Sequence, residues 1–490
     1  MKKAGTIAGI VMSAVLALTG AFFVYELFKL GMLPKSILLM LSIIILLLWA
    51  ICSLVMIKKD IHIAWKVIAW ILSAAMLVSC GFGAYTVQSG NKAITEISIP
   101  EGKSGVSLYV LNNGMIHNED GLKDRKIGVL TTMNPAGTQM VLDDLNQKEI
   151  SIQQVEFTSS YKMAQALKGQ SIDGMILDSG YIGTLSEMPD MENIGEEIIP
   201  IISLVYEPTE VKNEAESVNT ALEPFTIYIS GIDTRDNILY RNSRSDVNLI
   251  AAVNPTAHEV LLVSIPRDYY VETACAPEMG CMNGAMDKLT HTGLHGPETT
   301  EMTLEKLLGI DINYNIRVNF SSLKNVVNEL GGITVNNPNN FSAGGYYFAP
   351  GDITLNGDEA LTFVRERYSF SEGDRERGRN QMRVLSAIIR KALSPAILNN
   401  FNGILSSLSS SFVTNMTEQD IKELVAGQLQ NGGDWKIYSY SLNGSGGTDY
   451  ASELGDNAYV MYPNQATVDK GKADIQALLN GEVPPYVNEQ

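Results

Sequence analysis

The chain has 490 residues but only four cysteines and five histidines, so it has few of the ligands that zinc centres and disulfide frameworks need. Two of the cysteines, Cys52 and Cys80, fall in long apolar runs, where packing is the simplest interpretation of a thiol. A serine-hydrolase elbow is also missing, because neither Ser230 nor Ser264 lies in a GxSxG sequence. These absences argue against a zinc enzyme, a disulfide-built small domain and a serine hydrolase.

Positive charge is scarce as well, since 36 Lys and Arg face 54 Asp and Glu and the net charge is −18. The first 88 residues carry seven lysines and two acids, a charge of +5, which leaves −23 for the remainder. A large acidic region is a poor general binder of nucleic acid or of anionic lipid headgroups. We therefore expect no nucleic-acid partner.

Three long apolar runs fill the N-terminal 88 residues, at Thr6–Phe28, Ile37–Ile57 and Val67–Val87. Each run has roughly the 20 residues that a helix needs to cross a bilayer. The first run is too long for a signal peptide and shows no small-residue cleavage site. The sequence therefore predicts three transmembrane helices within residues 1–88, and the membrane is an expected partner.

Lysine placement predicts how these helices are oriented. Lys2 and Lys3 precede the first apolar run, and Lys58, Lys59 and Lys66 lie between the second and the third. The positive-inside rule places both groups in the cytoplasm. The N-terminus is then cytoplasmic, and the residues from about 88 onward are extracellular, without access to cytoplasmic ATP.

Two further cysteines lie in the region expected outside the cell. Cys275 and Cys281 are six residues apart in a loop, and an oxidising exterior favours a disulfide between them over two free thiols. Nearby, His291 and His295 have the four-residue spacing of zinc-binding helix pairs. Gly293 lies between them, which favours an ordinary loop pair.

The region beyond the apolar runs divides into two units. Residues 89–104 are polar and small and predict a juxtamembrane linker, and residues 105–212 alternate strand and helix, typical of a small α/β accessory domain. This unit has no glycine-rich phosphate loop and few basic residues, so a spacer or protein-contact role is favoured. The polar run 207–224 ends in proline and marks a boundary.

The second unit, residues 222–480, carries near-continuous apolar strand runs, FTIYISGID, VNLIAAVN and VLLVSIPRD, which are typical of buried central strands. Helical periodicity follows at Thr303–Leu308, Ser321–Leu330, Gly357–Arg365 and Gly378–Lys391. The predicted fold class is α/β, with a mixed β-sheet covered by helices. Residues 481–490 are predicted to be a loose tail.

Six arginines and no lysine occur between Arg365 and Arg383. Arginine presents a planar fork that grips phosphate oxygens two at a time, so this run predicts a phosphate-handling site. The same run contains four acids, so an ordinary salt-bridged helix surface is an alternative explanation for some of the arginines. On a helix Arg379 and Gln381 fall on different faces, so only some of these side chains are expected to bind.

Acids and arginines also stand at three strand ends: Asp233 after the first strand, Arg244 and Asp246 before the second, Arg267 and Asp268 after the third. Ligands in open α/β sheets commonly bind beyond strand ends. Two carboxylates can hold Mg²⁺, and arginines can neutralise a pyrophosphate as it is cleaved. Any one Arg–Asp pair, taken alone, is more often a surface ion pair than part of a catalytic site.

These residues also carry a resemblance. GIDTR, RSDVNLIAAVNP, VLLVSIPRD, DKLTHTG, VNFSSLKNVVNELGGITV, ALTFVRERYSF and GDRERGRNQ occur in this order, and together they resemble the LytR-CpsA-Psr (LCP) family. Three spans, an accessory domain and this core are similar to the capsule-associated CpsA branch. The resemblance implies an enzyme of the outer face of Gram-positive membranes.

The implied activity is the transfer of a glycopolymer from a polyprenyl pyrophosphate carrier to a peptidoglycan sugar hydroxyl, with release of polyprenyl phosphate. Capsular polysaccharide is the polymer that the architecture favours. The implied cofactor is Mg²⁺, or Mn²⁺ in its place. Polyprenyl pyrophosphate-linked polysaccharide and peptidoglycan are the implied partners, and other membrane proteins of capsule assembly are further expected ones.

The resemblance also implies roles for individual residues. Asp233 and Asp246 correspond to the metal-binding carboxylates, and with Arg267 they form the implied catalytic set. The implied pyrophosphate ligands are Arg244, Arg267, Arg365, Arg367, Arg377 and Gln381. Lys288, in DKLTH, is a candidate for shaping the site, and the helix Val384–Ile389 is a candidate wall for a prenyl tunnel.

Two alternatives remain open at this stage. A membrane regulator of capsule or wall-polymer synthesis would fit the topology, although almost nothing is left in the cytoplasm to bind DNA. A lipid pyrophosphatase would use the same phosphate ligands with water as the acceptor. Residue pattern alone does not separate hydrolysis from transfer, since both need identical ligands.

Overall fold

A computed structural model describes residues 2–97, 103–131, 133, 135–206, 218–232, 240–392, 394, 403, 404, 407 and 412–489. Asp233 and most of the predicted boundary at 207–224 lie outside these residues. The described parts form three helical spans, a small sheet domain and a larger sheet domain.

The three N-terminal helices are α1 (Lys2–Leu30), α2 (Lys35–Ile57) and α3 (Ile63–Ile97). All three contain stretches that are long and apolar enough to cross a membrane, judged by length and composition. Helix α3 continues nine residues past position 88, so the first part of the predicted linker is helical instead. Its final turns gain apolar partners there, because Ala93 and Ile94 are buried against the outer part of the chain.

The accessory domain contains a five-stranded mixed sheet with the order β3-β2-β4-β1-β5. Its first strand pairs antiparallel with both neighbours, whereas β2 pairs in parallel with β3 and β4. The elements of this domain, in chain order, are β1 (Ser104–Leu111), a 3₁₀ turn (Glu119–Leu122), β2 (Lys126–Leu130), α4 (Pro135–Gln147), β3 (Gln153–Phe157), α5 (Ser160–Lys168), β4 (Gly174–Asp178), α6 (Tyr181–Leu185), α7 (Ile194–Glu197) and β5 (Ile198–Tyr206).

The larger domain is built on a seven-stranded mixed sheet with the order β16-β11-β6-β7-β8-β17-β20. Strand β6 is parallel to β11, β8 is parallel to β17, and β7 is antiparallel to both of its neighbours. Its strands are β6 (Phe225–Ile232), β7 (Val247–Asn254), β8 (Glu259–Ile265), β11 (Tyr314–Asn319), β16 (Phe412–Thr414), β17 (Lys436–Ser441) and β20 (Asn488–Glu489).

Helices cover both faces of this sheet, so its central strands are buried throughout, as their near-continuous apolar sequences require. Alternate residues face opposite sides: Ile227 and Ile229 belong to one core cluster and Tyr228 to the other. The first face is covered by α10 (Phe320–Glu329), α11 (Gly357–Arg365) and α12 (Asp374–Ala392), and the second by α9 (Pro297–Leu308) and α14 (Gln465–Leu479). The α/β fold class with a mixed, helix-covered sheet is confirmed.

The remaining described elements are short strands, short helices and one longer helix. They are β9 (Tyr270–Glu272), a 3₁₀ turn (Pro277–Met279), β10 (Met286–Lys288), α8 (Leu289–Thr292), a 3₁₀ turn (Gly293–His295), β12 (Ile333–Asn337), β13 (Phe341–Ala343), β14 (Tyr346–Phe348), β15 (Gly351–Leu355), α13 (Glu418–Asn431), β18 (Gly444–Ala451) and β19 (Asp456–Pro463). Residues 481–490 are not wholly a loose tail, because β20 pairs antiparallel with β17 and extends the sheet edge.

The accessory domain and the larger domain share a core. One apolar cluster joins Tyr181 and Leu185 of the first to Leu294 and Leu454 of the second. At this junction the Glu453 carboxylate accepts hydrogen bonds from the Tyr181 hydroxyl (2.5 Å) and from His295 Nε2 (2.7 Å). A shared apolar core with buried polar contacts fixes the position of one domain relative to the other.

The larger domain also rests on the ends of the spans. Helix α13 contributes Ile421 to a cluster with Leu30 and Ile94. At its edge Glu418 accepts a hydrogen bond from the Thr95 hydroxyl (3.0 Å), and the Lys422 ammonium donates to the Lys29 carbonyl (3.3 Å). The outer part is therefore attached to the helical bundle by side-chain contacts as well as by the chain itself.

Candidate active site

Several strand ends meet at one edge of the seven-stranded sheet. Gly231, near the end of β6, pairs with Val247 at the start of β7. Asn248 pairs with Ile265 at the end of β8, and β8 and β17 finish side by side. A cavity of about 370 Å³ opens at this edge. Polar residues that flank these strands therefore reach a common space.

The cavity wall combines charged groups, amides and a few apolar side chains. Its charged members come from the starts and ends of the central strands and from the region of α12. The lining residues are Asp246, Val247, Asn248, Ser264, Ile265, Pro266, Arg267, Asp268, Glu372, Gly378, Arg379, Gln381, Ser441, Leu442, Asn443, Tyr459 and Met461.

Asp246 and Arg267 form an ion pair at the cavity, with 2.6 Å between Asp246 Oδ1 and Arg267 Nη1. Arg244 Nη2 lies 3.8 Å from the same oxygen. Burial opposes ionisation of Asp246, but the charges of Arg244 and Arg267 outweigh it and hold the pKa of this carboxyl below its usual value. The carboxylate is thus ionised at neutral pH and available as an oxygen ligand.

Asp268 and Lys288 extend this cluster. Asp268 Oδ2 is 3.7 Å from Arg267 Nε, and its Oδ1 is 3.5 Å from Lys288 Nζ. Lys288 ends β10 and is 3 % exposed, so its ammonium is directed into the protein and not into solvent. Lys288 therefore belongs to the charge cluster and does not merely shape its surroundings.

Sequence analysis missed Glu187, which the accessory domain supplies. Its carboxylate contacts Arg244 Nη1 (2.5 Å), Arg267 Nη2 (3.1 Å) and Lys288 Nζ (3.0 Å). Burial would raise its pKa, but the charge of Arg267, followed by those of Arg244 and Lys288, lowers the pKa well below the usual range. Nothing in its local sequence, LSEMPD, distinguishes it from a surface acid, because its partners lie 57 to 101 positions away.

The arginine-rich run reaches the cavity in part. Arg379 and Gln381 both line it, although the sequence placed them on different helix faces. Gly378 precedes both and also lines the cavity, and an added Cβ there would meet open space, so the cavity extends across the helix near this glycine. Arg379 is held by ion pairs to Glu372 and Glu376. Arg377 is close enough for its charge to lower the pKa of Asp246.

Arg365 and Arg367 are placed differently. Both are exposed, and neither contributes to the cavity wall as the described residues define it. The Arg367 guanidinium donates to the Tyr368 hydroxyl (2.6 Å) and lies over its ring. The implied pyrophosphate role of these two residues therefore stays a prediction. Asp233 lies outside the described residues, although β6, which precedes it, ends beside the start of β7.

The cysteines and histidines near the site are structural. Cys275 and Cys281 are joined by a disulfide. His291 Nδ1 donates to Asp287 (2.6 Å) and His295 Nε2 donates to Glu453 (2.7 Å), so each of the two histidines is bound to a separate carboxylate. No group of three or more His, Cys, Asp or Glu that could hold a metal occurs among the described residues.

Comparison with known proteins identifies the family. A model described as the LytR_cpsA_psr family matches residues 204–476, more than half of the chain. The chain belongs to the LytR-CpsA-Psr family. The match spans the charge cluster from Arg244 through Gln381 and leaves out the spans and most of the accessory domain.

Named relatives of this LytR-CpsA-Psr protein are wall-polymer enzymes. The chain is 35 % identical over 242 residues to an enzyme of Enterococcus faecalis named polyisoprenyl-teichoic acid–peptidoglycan teichoic acid transferase TagU, covering 49 % of this chain and 77 % of that one. It is 33 % identical over 236 residues to the Bacillus subtilis protein of the same name, covering 48 % and 73 %. The crystal structure of B. subtilis TagU aligns over 54 % of this chain and all of that chain, with 28 % identity and a TM-score of 0.40.

Proposed function

We propose that this LytR-CpsA-Psr protein transfers a glycopolymer, capsular polysaccharide, from a polyprenyl pyrophosphate carrier to a sugar hydroxyl of peptidoglycan. Its relatives carry the names of teichoic acid transferases, which supports the reaction type. Three spans followed by an accessory domain favour capsule over teichoic acid as the polymer. The outer domains act on the extracellular face, with the N-terminus in the cytoplasm, as the lysine distribution predicts.

The observation that carries the proposal is the Asp246–Arg267 pair at a cavity that Arg379 and Gln381 also line. Guanidinium groups in a partly buried site stabilise charge that develops on phosphate oxygens. Arg244 and Lys288 add two further cations to the same cluster. In a chain with a net charge of −18, this cluster is a site for an anion and not a general basic surface.

The reaction is a substitution at phosphorus. The acceptor hydroxyl oxygen attacks the phosphorus that is attached to the polymer, and the bond from that phosphorus to the bridging oxygen breaks. The bridging oxygen leaves with the prenyl chain as polyprenyl phosphate, and the polymer is left joined to peptidoglycan through a phosphodiester. Arg267 and Arg244 bind the non-bridging oxygens and the leaving phosphate, so they neutralise charge as it develops.

The acceptor proton needs a carboxylate within reach. Asp246 is a weak base because Arg244 and Arg267 depress its pKa. Asp268 also lines the cavity, and its contacts to Arg267 and Lys288 exceed hydrogen-bond length. We therefore assign Asp268 as the group that accepts the proton.

Magnesium fits the chemistry of the donor set. Mg²⁺ is bound through one or two carboxylates together with phosphate oxygens and waters, so a three-ligand protein cage is not required. Asp246 is an ionised oxygen ligand at the cavity, and Asp233, which follows β6, is the second proposed carboxylate. Asp246 and Asp233 would hold the ion, and when bound Mg²⁺ would withdraw charge from the diphosphate oxygens.

The acceptor and the prenyl chain are assigned to opposite sides of the cavity. Tyr459 of β19 lines it and is 52 % exposed, and an added Cβ on Gly446 would lie 2.9 Å from the Tyr459 hydroxyl. Glycine thus lets this ring lie across the hairpin, where it presents a face to a sugar. For the prenyl chain we propose the apolar layer between the sheet and Val384–Ile389 of α12, which lies in the core.

The test is reconstitution with defined substrates. The full-length protein in detergent micelles is incubated with a polyprenyl pyrophosphate glycan, Mg²⁺ and peptidoglycan fragments, and the products are followed by mass spectrometry. A phosphodiester between glycan and peptidoglycan together with polyprenyl phosphate is the expected outcome. Free glycan phosphate alone would mean a pyrophosphatase, and an intact donor would favour a regulatory role.

A further inference from the structure

A carboxylate of the accessory domain lies among the cations of the proposed donor site. Glu187 Oε1 contacts Arg244 (2.5 Å) and Arg267 (3.1 Å), while its Oε2 contacts Lys288 (3.0 Å). Both carboxylate oxygens are therefore engaged by the larger domain. This is the hydrogen-bonding arrangement that a phosphate group would adopt on the same three side chains.

The backbone that carries Glu187 is held in place. Helix α6 ends two residues earlier at Leu185, and both Leu185 and Tyr181 are buried in the core that the two domains share. The accessory domain also touches Arg244 directly: a Cβ added to Gly183 would lie 3.1 Å from Arg244 Nη2. The main chain near Glu187 is thus fixed against the site, and its side chain is 24 % exposed.

The same N–H groups cannot serve two anions at once. One Nη of Arg267 is taken by Asp246 (2.6 Å) and the other by Glu187. Glu187 remains ionised because the charge of Arg267 and its neighbours lowers its pKa well below the usual range. A diphosphate that makes the contacts which Glu187 now makes with Arg244, Arg267 and Lys288 therefore displaces this carboxylate. An occupant that has to leave reduces the apparent affinity of the incoming ligand.

We propose that Glu187 is an internal competing anion, through which the accessory domain sets the affinity of the catalytic cations for diphosphate. This inference rests on the proposed function for the identity of the donor. With the donor bound, Glu187 turns away from Arg244 and Arg267. After transfer it returns to them and displaces the phosphate of polyprenyl phosphate, which favours product release. The accessory domain is therefore a working part of the donor site and not a spacer.

Calorimetric titration of inorganic pyrophosphate into the full-length protein in detergent micelles tests this directly. Glu187→Gln keeps the shape of the side chain and removes its charge. We expect this variant to bind pyrophosphate about tenfold more tightly, equivalent to about 1.4 kcal/mol. Glu192→Gln is the matched control, because Glu192 is an exposed acid of the same domain. Its affinity should equal that of the wild type.

Two further variants separate a failure of the inference from a folding defect and from a wrong diphosphate site. Glu187→Ala removes the carboxylate in a different way and should also tighten binding, so a folding defect in one variant does not decide the outcome. Unchanged or weaker affinity in a correctly folded Glu187 variant contradicts the inference and leaves Glu187 as a positioning residue. Arg267→Gln should abolish binding. If neither the wild type nor the Glu187 variants bind pyrophosphate, or if Arg267→Gln binds it as well as the wild type does, the diphosphate site itself is wrong and the proposed function fails with it.

Discussion

Arg267 makes more contacts at the site than any single function requires, since its guanidinium touches Asp246, Glu187 and Asp268. A planar fork can hold two acceptors side by side, which the ammonium of lysine cannot do. Arg267 therefore holds two carboxylates side by side, and in the proposed reaction the same fork holds phosphate oxygens once Glu187 has turned away. On this proposal the site depends on the geometry of Arg267 as well as on its charge.

Replacing Arg267 with lysine keeps the charge and removes this geometry. We expect the transfer rate to fall about 10²- to 10³-fold, in the range found when one transition-state donor is lost (about 2.7–4 kcal/mol). The measurement is product formation at saturating donor. Arg125→Lys is the control, since Arg125 forms a surface ion pair with Asp173 in the accessory domain. Equal rates for both variants would remove Arg267 from the mechanism.

At the scale of elements, the β18–β19 hairpin places two tyrosines on opposite faces. Tyr459 pairs with Thr448, and Tyr462, three positions later, projects from the opposite face. Tyr462 makes contacts within the domain: its hydroxyl donates a hydrogen bond to Asp449, and its ring packs against Tyr270. Tyr459 faces the cavity. The hairpin therefore presents one aromatic ring to the cavity, where we propose that the acceptor binds, and the other ring holds the hairpin in position.

Truncating this ring should weaken the acceptor side alone. We expect Tyr459→Ala to raise the KM for peptidoglycan fragments about tenfold, in line with the worth of an aromatic contact of about 0.5–1.5 kcal/mol. Pyrophosphate affinity should not change, and Tyr459→Phe should restore the KM. Tyr347→Ala is the control, because Tyr347 is also an exposed tyrosine and lies on β14. A change in pyrophosphate affinity would show that the hairpin acts on the donor site instead.

The sequence predicted elements where the information was local. The apolar central strands and the helices over residues 357–365 and 378–391 follow from periodicity and caps, and the structure has them. Contacts between segments that are distant in the sequence could not be predicted from local patterns. Glu187 meets Arg244 only after two domains pack together, β20 forms only because β17 offers a free edge, and α3 extends past position 88 because α13 covers its final turns.

The same limit applies to the arginine run. Its composition predicts phosphate binding, but which side chains reach the cavity depends on how α12 lies against the sheet. Arg379 and Gln381 line the wall, whereas Arg367 packs on Tyr368. Periodicity alone assigned Arg379 and Gln381 to separate faces, since it takes no account of the open space beside Gly378.

At the scale of the whole molecule, the His295–Glu453 pair ties the histidine-bearing turn to the segment that also binds the accessory domain. Burial lowers the pKa of His295, but Glu453 more than offsets this, and the pKa lies above the ordinary 6.5. A raised histidine pKa contributes stability that is fully present below the unfolded value and is lost as pH rises through the folded one. The junction between the two domains is therefore more stable at mildly acidic pH.

His295→Gln should therefore cost most stability at low pH. Below pH 6.5 we expect it to reduce the free energy of unfolding by about 3 kcal/mol, as for a broken buried ion pair. The difference from the wild type should shrink as pH rises. Thermal unfolding across this range measures it, and His117→Gln, at an exposed accessory-domain histidine, provides the baseline. A pH-independent difference would mean that the pair is neutral and acts by packing alone.

The packing of α13 on the ends of α1 and α3 has a consequence for the lipid substrate that we propose. A headgroup that diffuses in the bilayer plane has little vertical freedom, and with the proposed topology the contacts among Thr95, Glu418 and Lys422 would hold the candidate active site at a set height and orientation above that plane. Cutting the chain after the spans would leave the pocket intact but free to tumble. Such a fragment must then find each carrier in three dimensions, where the anchored protein meets it in two.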